Sequence, residues 1–404
     1  MKESEENTNV YNGKKKYGVI KIIITILLTA IITYFLTVTF VLKSYLNTSG
    51  MTYLSTKLGL VRQKLDSIYI YDFDEDKMIE NAIKGYVDGI DDKYTEYLSK
   101  EEMDDLLENT SGNYVGIGVY LANNTEDNTI VIIGIIEGSV AEEVGLQPGD
   151  IIKTVDGVEY SGEQLSEASD VLKGKEEGTE VSITIIRNSE ELNFSVKRSN
   201  IRLKAVSSEM KQNNIGYIKI TTFNEGTADE FKTAYQDLKS QNLTGLIIDL
   251  RNNGGGLVSE SLKIAETMVD KGNIMLITAN KQNKEKIEKS KQNPIIDVPV
   301  VILVNSNTAS ASEILAGSLR DNCHFKIIGT TSYGKGVIQT IYSFADGSGL
   351  KVTSEEYFTP NHNKINKVGI TPDIEVELDD EWKDISNVPE ENDYQLIKAL
   401  EELK

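Results

Sequence analysis

The sequence predicts a mixed α/β protein carried on an apolar N-terminal helix, and three observations lead there. Residues 22–42, "IIITILLTAIITYFLTVTFVL", hold no charge. Residues 112–198 read as short strands joined by glycine-containing turns, and residues 199–378 alternate apolar strands with amphipathic helices. A chain of 404 residues is long enough for two or three domains. Its formal net charge of -21 argues against nucleic acid as a partner.

The order of the segments is a cytoplasmic tail (1–21), a membrane anchor (22–42), a helical region (43–111), a β-rich domain (112–198), an α/β core (199–378) and an acidic helical tail (379–404). Twenty-one helical residues span roughly 31 Å, about one hydrocarbon core. Lys14, Lys15, Lys16 and Lys21 precede the segment, whereas Lys43 and Lys57 follow it. The positive-inside rule therefore places the N-terminus in the cytoplasm and the body outside. In the helical region, Met78, Ile79, Ala82, Ile83, Tyr86 and Val87 share one helix face, a packing or dimerisation surface. Helical segments at both ends of the body make a homodimer the expected assembly. Ser99 and Glu102 have the spacing of a capping box.

The β-rich domain opens on "YVGIGVYL", expected as one strand, followed by "TIVIIGII". In "EGSVAEEVGLQPGDIIKTVDGVEY", Ser139 can cap a one-turn helix, Gly145 can end it, and Asp156-Gly157 suits a hairpin turn. In the core, "IGYIKI", "LTGLIIDLR", "VPVVILVN" and "VIQTIYSF" read as strands, and "SASEILAGSLRDN" as a helix. "TADEFKTAYQDLKSQ" reads as a helix capped by Thr227, and "KQNKEKIEKSK" as a solvated loop or helix face.

Chemistry is scarce in obvious forms. The only cysteine is Cys323, which excludes an internal disulfide and a Cys-rich zinc site. It adjoins His324, one of two histidines, and both are expected to be structural. "DFDED" fails as a calcium loop, since Lys77 and Ile83 stand where glycine and glutamate are needed. No metal or other cofactor is expected.

"GTTSYGKG", Gly329 to Gly336, begins like a phosphate-binding loop, but Gly336 replaces the Ser or Thr that would hold magnesium. An NTPase would also need Lys335 to open a helix, whereas a strand is expected after it. "NTASASEILAG" offers another chemistry. Ser310 or Ser312, at a strand-to-helix turn, can cap the helix or act as a nucleophile. A desolvated lysine supplies a base, and Lys335 is the candidate.

Two sets of residues carry resemblances. Gly145-Leu146, Pro148-Gly149-Asp150, Ile152 and Val155-Asp156-Gly157 resemble the signature of a PDZ domain. With "DLRNNGGGL", "NTASASEI" and "GKGVIQ", residues from about 65 to 378 resemble the carboxyl-terminal processing proteases, the tail-specific serine peptidases. The resemblance implies a PDZ domain inserted before a mixed α/β peptidase core. It implies Ser310 as nucleophile, Lys335 as general base and Gln339 as the residue that orients the lysine. The spacings fit the family: 335 minus 310 is 25, and 339 minus 335 is 4. On one strand, Lys335 and Gln339 would share a face. The oxyanion hole would combine the amides of Ala311 and of Gly255 or, by preference, Gly256. The peptide's terminal carboxylate would meet the loop Tyr114, Val115, Gly116, Ile117 and Gly118, with Lys173 beside it. Two departures stand out: Gly254 replaces a common proline, and Lys173 a common arginine. Protein or peptide tails are the implied substrates; a PDZ scaffold with an inactive core is the alternative.

Overall fold

The computed structural model describes residues 21–40, 49–174, 176–382 and 388–404. It divides into two compact units, Met1–Met78 and Ile79–Lys404. In the first, Lys21–Phe40 is a 20-residue helix with a mean hydropathy of 2.4 and no buried residues, long and apolar enough to cross a bilayer. The hydroxyls of Thr25 and Thr29 donate to carbonyls four residues back, which spares them from lipid. Val41, Leu42 and the lysines at 14–16 and 43 lie outside the described residues. Ser49–Ile68 is also helical, and the helix Glu75–Asp88 spans the division between the units.

In the larger unit, the helix Lys100–Ser111 starts at the expected capping box, with Ser99 N–H donating to Glu102 and Glu102 N–H to Ser99. Gly112, at φ 69°, ends that helix in the left-handed conformation. On the helix Glu75–Asp88, only Val87 of the apolar stripe is buried; Ile79, Ile83 and Tyr86 remain exposed.

The β-rich domain is an antiparallel sheet in the order Val119–Asn124, Thr129–Ile135, Ile151–Val155, Glu180–Arg187 and Glu190–Lys197. Its core gathers Ile130, Ile132, Leu146, Ile152, Val155, Ile183 and Val196 with Ala168 and Leu172 of the helix Leu165–Leu172. Asp156 and Gly157 both have positive φ, 49° and 78°, as the hairpin turn requires. Asp150 is buried and accepts two hydrogen bonds of 2.6 Å from Arg187, tying the Pro-Gly-Asp turn to the sheet. "YVGIGVYL" is not one strand. Asn113–Gly116 pairs with Ser199–Arg202, and only Val119–Asn124 enters the larger sheet of this domain. Gly118, at φ 86°, makes the break, and a Cβ there would lie 2.3 Å from Ser139 Cβ.

The core is a six-stranded sheet: Val206–Met210, Ile215–Ile220, Gly245–Asp249, Val300–Val304, Lys326–Gly329, Ile374–Glu375. The first pair is antiparallel and the rest parallel. Both faces are apolar because both are covered. Leu246, Ile248, Val300 and Ile302 face the cluster that holds the helices Thr227–Lys239, Val258–Ala265 and Ala311–Cys323. Ile247, Val301 and Leu303 face the other side with Leu396 and Ala399 of the helix Tyr394–Glu402.

Two expectations change. Thr227 is not the cap: Gly226 is, and the Thr227 hydroxyl donates to the Asn224 carbonyl at 2.9 Å. Within "KQNKEKIEKSK", Glu285–Lys289 is a strand, in a hairpin with Ile274–Asn280. Its side chains are mostly exposed, so no apolar alternation marks it.

Candidate active site

The buried strand Val300–Val304 runs into a turn that ends at Ser310, the residue before the helix Ala311–Cys323. Ser310 has φ 56° and ψ −117°, a conformation that costs a non-glycine residue energy and persists only where its surroundings impose it. The surroundings are specific. Gly255, at φ 104°, presses against this turn so closely that a Cβ would lie 2.8 Å from both Ala309 O and Ser310 Cβ. The Asn253 carbonyl accepts from Ala309 N and Ser312 Oγ, each at 3.0 Å. Asn252 N donates to Asn305 Oδ1 at 2.9 Å. The glycine turn and the serine turn are therefore one hydrogen-bonded body. Ser312 serves that stitch, so it is not the helix cap. Gly254 is exposed, and a Cβ there would have open space. Asn252 and Asn253 hold the turn where a proline would otherwise stiffen it.

The turn's amides divide their work. Gly255 N donates to Asn253 Oδ1 at 2.9 Å. The ladder beside it uses Gly255 O, Leu257 N and Phe223, leaving the Gly256 N–H outside it. Ala311 opens a helix, where first-turn amides have no intrahelical acceptor.

Glu313 joins the Ser310 turn to the lysine loop. Fully buried, it accepts from Ser332 Oγ (2.5 Å) and Gly334 N (2.7 Å) on Oε1, and from Ser310 N (2.8 Å) and Lys335 N (3.0 Å) on Oε2. Burial raises its pKa above the ordinary glutamate value, against the pull of these donors. This resolves the phosphate-loop resemblance. The amides of "SYGKG" do cradle an anion, but it is the chain's own carboxylate, and Val337–Ser343 after the loop is a strand. From the other side, the buried Tyr357 hydroxyl donates to the Lys335 carbonyl and lies 3.1 Å from the Ser310 carbonyl.

The Lys335 side chain is half-buried. Burial, then the charge of Lys351, lowers its pKa below the usual lysine value. Its Nζ lies 4.7 Å from the centre of the Tyr94 ring and makes no hydrogen bond to Ser310 or Gln339. Lys335 precedes the strand, so strand alternation does not relate it to Gln339, whose buried Nε2 has no partner. Ser310 and Lys335 are thus brought together through their backbones, and the Gln339 amide nitrogen bonds to neither. Glu313, Tyr357 and Tyr94 escaped the sequence reading. Only Glu313 left a signal, the Ser-x-x-Glu spacing of a capping box.

In the β-rich domain, Tyr114, Val115 and Gly116 lie on the strand paired with Ser199–Arg202, and the Tyr114 ring would meet any Cβ at Gly116 at 2.7 Å. The Ile117 and Gly118 carbonyls accept from Ala141 N and Ile136 N, both at 2.9 Å, while their own N–H groups have no backbone acceptor. Val119–Asn124 is the sheet edge, with the helix Leu165–Leu172 beside it. Lys173 ends that helix, 3.6 Å from Glu108 and 5.6 Å from the centre of the Tyr114 ring. A cavity of about 490 Å³ opens among Tyr114, Val119, Tyr120, Lys173, Thr222 and Asn224. The lone thiol, Cys323, donates to Met268 O, and burial pushes its pKa up to about 11, as suits a packing role.

Residues 214–376 match the model of peptidase family S41, and residues 115–197 match a PDZ domain. The carboxy-terminal processing protease CtpA of Bacillus subtilis is 36% identical over 325 residues, 80% of this chain and 69% of that protein. A "Probable CtpA-like serine protease" of Staphylococcus aureus is 36% identical over 379 residues, 93% of this chain and 75% of its own length. Among solved structures, a Bacteroides fragilis protein assigned to the S41 proteases has the same fold, with TM-score 0.53 and 17% identity. That match covers 83% of this chain and 92% of the other.

Proposed function

Because the chain belongs to peptidase family S41, as a carboxy-terminal processing serine protease with a PDZ domain, we propose a Ser-Lys mechanism on captured protein tails. Neutral Lys335 takes the proton of Ser310 Oγ, and the oxygen attacks the scissile carbonyl. The amides of Ala311 and Gly256 stabilise the oxyanion. Lys335 then gives its proton to the leaving amine, and water, with Lys335 again as base, hydrolyses the acyl-enzyme. Gln339 orients the base once the side chain turns to Ser310, since such hydrogen bonds tighten with substrate bound. The observation that carries this reading is the grip of one carboxylate, Glu313, on the amides of both Ser310 and Lys335.

The PDZ domain captures an exposed, apolar C-terminal tail as a strand along Val119–Asn124, its carboxylate at the amides of Gly116 to Gly118 with Lys173 beside them. The Lys21–Phe40 helix anchors the enzyme, with the N-terminus cytoplasmic and the body outside. The exposed Ile79, Ile83 and Tyr86 face supports pairing of two copies.

The test uses the full chain in detergent with a peptide ending in a free carboxylate and its C-terminal amide. Cleavage of the acid, strong loss on amidation and no turnover in Ser310→Ala are expected. Equal rates for acid and amide would remove carboxylate capture. Binding without any cleavage by the wild type would leave a PDZ scaffold.

A further inference from the structure

Lys335 makes no ion pair with any carboxylate among the described residues, and the group its Nζ faces is the Tyr94 ring. That ring belongs to a braced turn. Thr95 Oγ1 donates to Asp92 Oδ2 at 2.6 Å, and Thr353 N donates to Thr95 Oγ1 at 3.1 Å. The following strand, Glu96–Leu98, pairs with Gly349–Phe358. Lys93 Nζ lies over the rings of Tyr94 and Tyr333, at 4.7 and 4.8 Å, and donates to the Tyr333 hydroxyl at 2.6 Å.

We propose that Tyr94 is a positioning residue for Lys335, its ring face being the seat of the ammonium form of the base. The inference rests on the reading of Lys335 as general base. When Ser310 attacks, its proton moves to the Lys335 nitrogen, and the new cation needs a place in a half-buried site. A ring face attracts a cation through its quadrupole and excludes water. It cannot take the proton, and it holds the cation less tightly than a carboxylate would, so the base stays easy to neutralise. The other charged groups around Lys335 are Lys351 on the strand Gly349–Phe358, Tyr333 on its own loop, and Asp92, Lys93 and Glu96 on the Tyr94 segment. Lys351 is paired with Glu96 at 2.8 Å. Tyr94 itself stays neutral through the working range, because burial raises its pKa.

The test is the pH dependence of kcat/KM for the full chain in detergent, with Tyr94→Phe, Tyr94→Leu and Tyr94→Ala. Phe keeps the ring, so the acid limb should stay in its wild-type position. Leu keeps an apolar cover without the quadrupole, so the limb should move to lower pH by about half a unit to one unit. Ala admits water, so the limb should move to higher pH, toward ordinary lysine. A ring that only packs would change the rate alike at every pH. Unmoved limbs in Leu and Ala, or a shift of both in one direction, would overturn the proposal. If the Ala variant fails to fold, the comparison of Phe with Leu decides. Turnover by Lys335→Arg would instead sink the base itself, whereas an inactive Arg variant with unmoved Tyr94 limbs would sink only the seat.

Discussion

Ser310 and Lys335 lie far apart in the chain, yet both backbones hang on the Glu313 carboxylate. A glutamine in its place offers one acceptor oxygen and sets an NH2 group against two donors. Glu313→Gln should therefore cost about 2–4 kcal/mol, as buried donors lose their partners, and cleavage should fall with it. Urea unfolding and peptide turnover check this, and wild-type values for both would contradict the account. The sequence pointed to Ser310 and Lys335 because each stands in a short, unusual motif. It could not show the Glu313 contacts, since they form only when a helix side chain meets a loop about 20 residues further on. Gln339 came from the spacing the resemblance implies, and the strand-parity argument for it failed because Lys335 lies in the loop.

Among the elements, patterns with an apolar side were legible. The continuous apolar runs of Gly245–Asp249 and Val300–Val304, the helix periods and the glycine turns all survive in the structure. Glu285–Lys289 was missed because its pairing is made by backbone alone. The break in "YVGIGVYL" was missed because the close approach of Ser139 to Gly118, which only a glycine allows, joins distant segments. The C-terminal helix carries a link that no motif announced. Arg251, just before the glycine turn, donates to Asp249 and, at 2.7 and 2.8 Å, to both oxygens of Asp393, the cap of Tyr394–Glu402. All three charges are buried. Asp393→Ala removes the cap and one of the two carboxylate partners of a buried guanidinium, a loss of about 3–5 kcal/mol. Hydrogen exchange should show the amides of Tyr394–Glu402 losing protection, with a slower peptidase. Unchanged protection would detach this helix from the glycine turn.

At the scale of the whole molecule, the proposed anchor sets where the chemistry would happen. On that topology, protease added to intact cells or protoplasts should digest the body, because the positive-inside rule assigns the lysine-rich side of Lys21–Phe40 to the cytoplasm. Protection until the membrane is permeabilised would reverse the orientation. The central claim is the Ser-Lys pair, and a pH profile of peptide cleavage from about pH 5 to 10, without nucleotide or metal, tests it most directly. In the proposed mechanism Lys335 works only as the neutral amine. Burial lowers its pKa below the usual lysine value of 10.5, so the rate should rise with pH along an acid limb below that value. Arginine keeps the charge but does not deprotonate in proteins, so Lys335→Arg should show no turnover at any pH. Near-normal cleavage by the arginine variant, or a wild-type rate without an acid limb, would contradict the account.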